Sequence, residues 1–203
     1  MGFELHRGDL PDGIRFGGAV AVDTEAMGLH PHRDRLCLVQ LSGGDGNARI
    51  VQFAAGGYDA PNLRALFCDP AIVKLFHFAR FDIAIIYRYL GVMPQPLYCT
   101  KIASRLARTF TDKHGLRDLC KDLLGVDLKK ELQSSDWGAA ELREEQLRYA
   151  ASDVLHLHAL RARLDEMLAR EGRTELARLC FDFLPARALL DLAGWAEQDI
   201  FAH

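Results

Sequence analysis

The segment Gly18-Ala19-Val20-Ala21-Val22-Asp23-Thr24-Glu25 decides how this chain is read. Ala19 to Val22 form a short apolar run of the kind that makes a buried strand, and it ends in two acidic residues one position apart. Strand side chains alternate between faces, so Asp23 and Glu25 project the same way. Working outward, Leu36–Leu41 and Arg49–Phe53 read as the next two strands, parted by the turn cluster Ser42-Gly43-Gly44-Asp45-Gly46-Asn47. Pro61 suits the first turn of a short helix through Phe67. Ile72–Phe76 predicts a fourth strand, Phe81–Leu90 an amphipathic helix stopped by Gly91, and Leu97–Cys99 a short extended piece. Helices over about Lys101–Arg108 and Gly115–Leu124 follow, then a long periodic segment, Glu141–Arg170. This order predicts an α/β domain: a mixed five-stranded sheet flanked by helices, with extra helices at the C-terminal end.

The chain has 203 residues, 49% of them hydrophobic, which suits one well-filled domain. Its formal charge is −3, without the basic excess expected of a protein that grips long nucleic acid through many phosphates. Locally the balance differs. Residues 101–130 carry eight Lys or Arg against four Asp, a net +4 that fits either a solvated helix face or a phosphate-facing surface. The five cysteines form no CxxC pair and sit among apolar neighbours, as reduced packing residues do. The N-terminus lacks the pattern of a signal peptide, and no apolar run reaches the ~18–20 residues of a membrane span. These features read as a soluble cytoplasmic protein.

Three sites carry the chemistry. Asp23 and Glu25, side by side, would repel unless a cation neutralised both. Clustered carboxylate oxygens suit Mg²⁺ or Mn²⁺. Asp82 opens a largely apolar helix that the preceding strand could deliver to the same sheet edge. Tyr149 and Asp153, four residues apart, share one helical face. Singly, each site has an ordinary structural explanation: a turn cap, a first-turn acid complementing the helix dipole, a Tyr–Asp hydrogen bond. Together, four carboxylates and a phenol are the complement that two-metal phosphodiester hydrolysis needs. A phenol with a pKa near ~10 is a poor base by itself, so Tyr149 is expected to help position or deprotonate a water that metal ions activate.

These motifs, in this order, resemble the DEDD exonuclease superfamily, and within it the ribonuclease D-like group. Gln133-Ser134-Ser135-Asp136-Trp137, followed by Glu145 to Asp153, is similar to that group's SDW…EQLxYAxxD block, and Arg33 to Leu41 to its second-strand segment. The resemblance covers about residues 18–170 and implies a ribonuclease H-like fold. Arg148 stands where one subclass has a catalytic His, and Tyr149 matches the tyrosine subclass, DEDDy. His156 and His158 follow Asp153 and are expected to be helix-face residues.

More narrowly, Leu29 to Cys37, Phe76 to Asp82, Tyr98 to Ser104 and the tail from Phe183 to His203 resemble the nanoRNase C family. That resemblance implies hydrolysis of very short RNA, dinucleotides especially, from the 3′ end. The catalytic set would be Asp23, Glu25, Asp82, Tyr149 and Asp153, with the four acids holding two divalent cations, Mg²⁺ or Mn²⁺. Leu29 would wedge between the two bases and His77 would contact substrate near the scissile phosphate; Lys101 and Ser104 are candidates for the 5′-phosphate. It further implies an exonuclease domain over residues 1–172 and a helical extension over 173–203, packed on its own domain or a neighbouring subunit. The partner copies would form a homo-oligomer, a closed ring of eight. The alternatives are a broader exonuclease acting on longer RNA or DNA and an inactive RNA-binding scaffold.

Overall fold

The computed structural model describes residues 2–128 and 135–203. A six-stranded mixed sheet has the order β1-β4-β3-β2-β5-β6. Its strands are β1 (Gly2–Arg7), β2 (Ala19–Ala26), β3 (Leu36–Ser42), β4 (Asn47–Gln52), β5 (Val73–Phe76) and β6 (Leu97–Cys99). The helices are α1 (Pro61–Cys68), α2 (Ala79–Leu90), α3 (Thr100–Ala107), α4 (Leu116–Leu119), α5 (Glu144–Leu155), α6 (Leu157–Arg170) and α7 (Thr174–Leu190). Every residue of β3 is buried, so the central strand reads as a continuous apolar run broken only by Gln40 and Ser42.

The sheet has one strand more than the five expected from sequence. β1 pairs in parallel with β4 as an edge strand, and its alternation rests on Phe3 and Leu5 alone, too weak a signal to read directly. The connection after it is purposeful. Asp9 accepts hydrogen bonds from the N–H groups of Asn62 and Leu63 at 2.8 and 3.0 Å, capping α1 from fifty residues away in sequence. The long segment Glu141–Arg170 is two helices rather than one, breaking at His156 while its apolar period carries on. Leu116–Leu119 runs into a wider π-type turn, Cys120–Leu124. Gly91 ends α2 as expected, at φ 72°, with its N–H on the Tyr87 carbonyl.

The C-terminal segment packs on its own chain. α7 lies against α2, α3, α6 and β6 and buries Ala177, Phe181, Leu184 and Ala188. Beyond it, Asp191 receives two hydrogen bonds from Arg80, at 2.5 and 2.8 Å, and two from Arg187. Arg80 lies two residues before Asp82, so the tail braces the helix start that carries that carboxylate. Leu179, Phe183, Leu189, Trp195 and Phe201 nonetheless remain exposed. Among the described residues, no helix is long and apolar enough to cross a membrane.

Candidate active site

The site forms where one strand outruns its neighbour. Parallel pairing of β2 with β5 stops at Ala21–Leu75, whereas antiparallel pairing with β3 continues past Asp23–Gln40 to Glu25–Leu38. Asp23 and Glu25 therefore sit beside an open edge, with a bulge following Glu25. α5 packs across β2, β3 and β4 and delivers Asp153 to this edge. One oxygen from each of Asp23, Glu25 and Asp153 lies within 4.8 Å of the other two.

Asp82 reaches the same edge from the opposite face of β2. Its Oδ1 accepts a hydrogen bond from Thr24 Oγ1 at 2.6 Å, and Thr24 alternates with the two acids that face α5. The approach depends on Phe78, a non-glycine residue at φ 72°, which turns the chain sharply from β5 into α2. Thr24 was not singled out from the sequence; only the folded pair reveals its role.

The electrostatics follow from this crowding. Burial pushes Asp23 up to about 7, against the pull of a backbone hydrogen bond at Thr24. Burial, then the charge of Asp23, holds Glu25 and Asp82 well above their ordinary range. The same two causes raise Asp153, with the Tyr149 hydroxyl pulling the other way. Among the described residues, no cationic side chain figures in the forces acting on any of the four. An all-oxygen set of mutually repelling carboxylates fits hard divalent cations.

Tyr149 is held by the SDW segment. Its ring stacks on the buried Trp137, centroids 6.1 Å apart. Burial, then Asp153, pushes its phenol up, so Tyr149 retains its proton and acts as a hydrogen-bond donor. Gln133 and Ser134 lie outside the described residues, as do Lys129 and Lys130 of the basic stretch. Arg148 points away on the outer face of α5 and pairs with Glu144. His156 sits at the break between α5 and α6, and His158 is bonded to the Ser42 carbonyl.

The four proposed substrate residues differ in their surroundings. Leu29 is 80% exposed at the tip of a loop braced by Asp34, which accepts hydrogen bonds from the His30 N–H and the Arg33 guanidinium. A Cβ on Gly28 would stand 2.3 Å from the Asp34 carboxylate, so that glycine is required for the brace. His77 Nδ1 lies 2.9 Å from Thr100 Oγ1, which itself donates to the Phe76 carbonyl at 3.2 Å. Nδ1 therefore carries the ring proton and Nε2 is left as an acceptor. Burial, reinforced by Lys101, lowers the His77 pKa to about 3 and keeps the ring neutral. Lys101 Nζ lies 4.2 Å from the centroid of the Phe78 ring. Ser104 departs from expectation: it is fully buried, with its hydroxyl 2.8 Å from His114 Nδ1, because α3 turns that position inward.

Comparison with known proteins agrees with this geometry. A family model described as 3′-5′ exonuclease matches residues 12–169. Ribonuclease D of Gluconacetobacter diazotrophicus is 40% identical over 156 residues, which are 77% of this chain and 39% of that protein. The chain thus matches well under half the length of this curated relative. Brucella melitensis NrnC, solved with bound Mg²⁺, is 56% identical, covers 100% of both chains and superposes with a TM-score of 0.95; it has also been solved bound to pGG. Escherichia coli RNase D gives a TM-score of 0.75 at 27% identity, over 85% of this chain and 45% of that one. The chain belongs to the 3′-5′ exonuclease family, in its ribonuclease D-like branch.

Proposed function

We propose that this protein hydrolyses very short RNA from the 3′ end to nucleoside 5′-monophosphates, with two divalent cations, Mg²⁺ or Mn²⁺, held by Asp23, Glu25, Asp82 and Asp153. The observation that carries the reading is the convergence of Asp23, Glu25 and Asp153 oxygens within 4.8 Å, with Asp82 tied to the other face of the same strand. Such cations, when bound, activate the attacking water and offset charge on the phosphoryl oxygens. Tyr149, protonated and fixed against Trp137, has a single O–H, which bonds to Asp153 in the metal-free site and turns to that water once Asp153 holds a cation. Neutral His77 offers an acceptor at Nε2, which suits a sugar hydroxyl near the scissile bond better than a phosphate oxygen. Lys101 supplies the charge for a terminal phosphate, and Leu29 the apolar tip that stacks between bases.

Full-length similarity to a protein solved with pGG supports the short substrate. A length series of 5′-labelled RNA and DNA tests it. The expected result is fastest turnover on the RNA dinucleotide, with Leu29→Ala lowering that rate about 5- to 30-fold, the loss of ~1–2 kcal/mol of apolar contact with the bases. A preference for long DNA would overturn this substrate assignment in favour of the broader exonuclease. Loss of product release in EDTA, restored by Mn²⁺, separates either enzyme from an inactive scaffold.

We also propose that copies of the chain close into a ring through the α7 face. Leu179 and Phe183, one turn apart on α7, are exposed, as are Leu189 near its end and Trp195 and Phe201 beyond it, with the Phe183 and Phe201 rings 6.0 Å apart between centroids. Sedimentation should give a species several times 22.7 kDa, near eight copies, and a monomer at micromolar concentration would refute it.

A further inference from the structure

The side-chain amide of Gln40 is fully buried, and among the described residues neither its Nε2 nor its Oε1 has a hydrogen-bond partner. A buried orphan of this kind destabilises a fold, so its position asks for a reason. The register supplies one: Gln40 lies directly opposite Asp23 across the antiparallel β2–β3 pair. Residues opposed in this way share a face of the sheet, with Cβ atoms about 4.5–5.5 Å apart, so Gln40 stands on the face of Asp23, Glu25 and α5. It is also the one interruption in the apolar run from Leu36 to Leu41.

We propose that Gln40 is a positioning residue that donates from Nε2 to the Asp23 carboxylate when Asp23 holds a cation. This rests on the metal-binding reading above. A ligating carboxylate has two oxygens, and fixing one by a hydrogen bond orients the other. An amide suits this place because it brings a donor without a charge. A lysine there would compete with the cations, and a leucine would leave Asp23 free to turn. Gln40 is sealed from solvent and cannot touch substrate, so it acts only through Asp23. The competing partner is Gln52, on the same face one pair away, whose Nε2 is bonded to the Ala139 carbonyl and whose Oε1 is also an orphan.

The test is Gln40→Met, close in shape but without the amide, compared with Gln52→Met, wild type and Asp23→Asn. Mn²⁺ affinity is read by calorimetry and the melting temperature is read in EDTA. The expected result for Gln40→Met is Mn²⁺ binding about 10- to 100-fold weaker, the range for loss of an outer hydrogen bond to a ligand, with metal-free melting unchanged or higher. A purely structural amide would do the reverse, lowering metal-free melting and leaving affinity intact. Either that outcome or equal weakening in Gln52→Met overturns the proposal. Wild type that binds no Mn²⁺ would instead defeat the metal reading itself, and the role of Gln40 with it.

Discussion

Asp23→Asn is expected to lower turnover of short RNA by on the order of 10³-fold or more, while making the metal-free protein more stable at pH 8. The two effects share one cause. Burial first, and then the charge of Asp23, pushes up Glu25, Asp82 and Asp153. Asparagine keeps the shape and removes that charge. A shift of Asp23 itself from 3.8 to about 7 corresponds to roughly 4 kcal/mol of strain in the ionised metal-free site. A buried amide costs part of this back, leaving a net gain of about 1–3 kcal/mol. For a domain of this size that is a rise in melting temperature of roughly 2–12 °C. Scanning calorimetry in EDTA and a radiolabelled dinucleotide assay read the two halves. Wild-type turnover in Asp23→Asn would remove it from the catalytic set, and a lower melting temperature would contradict the crowding argument.

How much of this was legible in the sequence depends on the range of each interaction. Asp23 with Glu25, and Tyr149 with Asp153, are local pairs whose spacing matches the strand and helix repeats, so both were readable. Their meeting is tertiary. Asp153 reaches Asp23 only because α5 crosses β2, β3 and β4, and resemblance rather than periodicity anticipated it. The residues that hold the site were largely invisible. Thr24 lies inside a strand run, and Gln40 shows only as a polar break in an apolar one; what each of them holds emerges when Thr24 meets Asp82 and pairing sets Gln40 against Asp23. Ser104 differs in the other direction. The resemblance implied a phosphate contact, and the fold turns its side chain toward His114 and away from solvent. β1 escaped notice because an edge strand needs only one sparse apolar face, and the break at His156 because the apolar stripe continues through it.

Mn²⁺ is expected to stabilise the protein strongly at pH 8 and weakly at pH 5. The sign follows from Asp23, whose folded-state pKa of about 7 lies above its ordinary value of 3.8. The folded protein therefore holds a proton that the unfolded chain has released, and that contribution is full below about pH 4. It disappears as pH rises through about 7, where the metal-free site becomes a cluster of uncompensated charge. Glu25, Asp82 and Asp153 shift in the same direction and steepen the loss. Cations bind the ionised form, so they restore stability where protons have left and compete poorly where protons remain. At a concentration 100 times Kd the gain is about 2.7 kcal/mol, or roughly 5–11 °C at pH 8. At pH 5 less than about a third of that shift should survive, because folded Asp23 is then almost entirely protonated. Thermal scans at pH 5, 6, 7 and 8, with Mn²⁺ and with EDTA, trace the window directly. Asp153→Asn should flatten it, having replaced one of the three converging carboxylates by a neutral amide. A shift that is independent of pH, or larger at pH 5, would mean that these carboxylates are not where the cation binds.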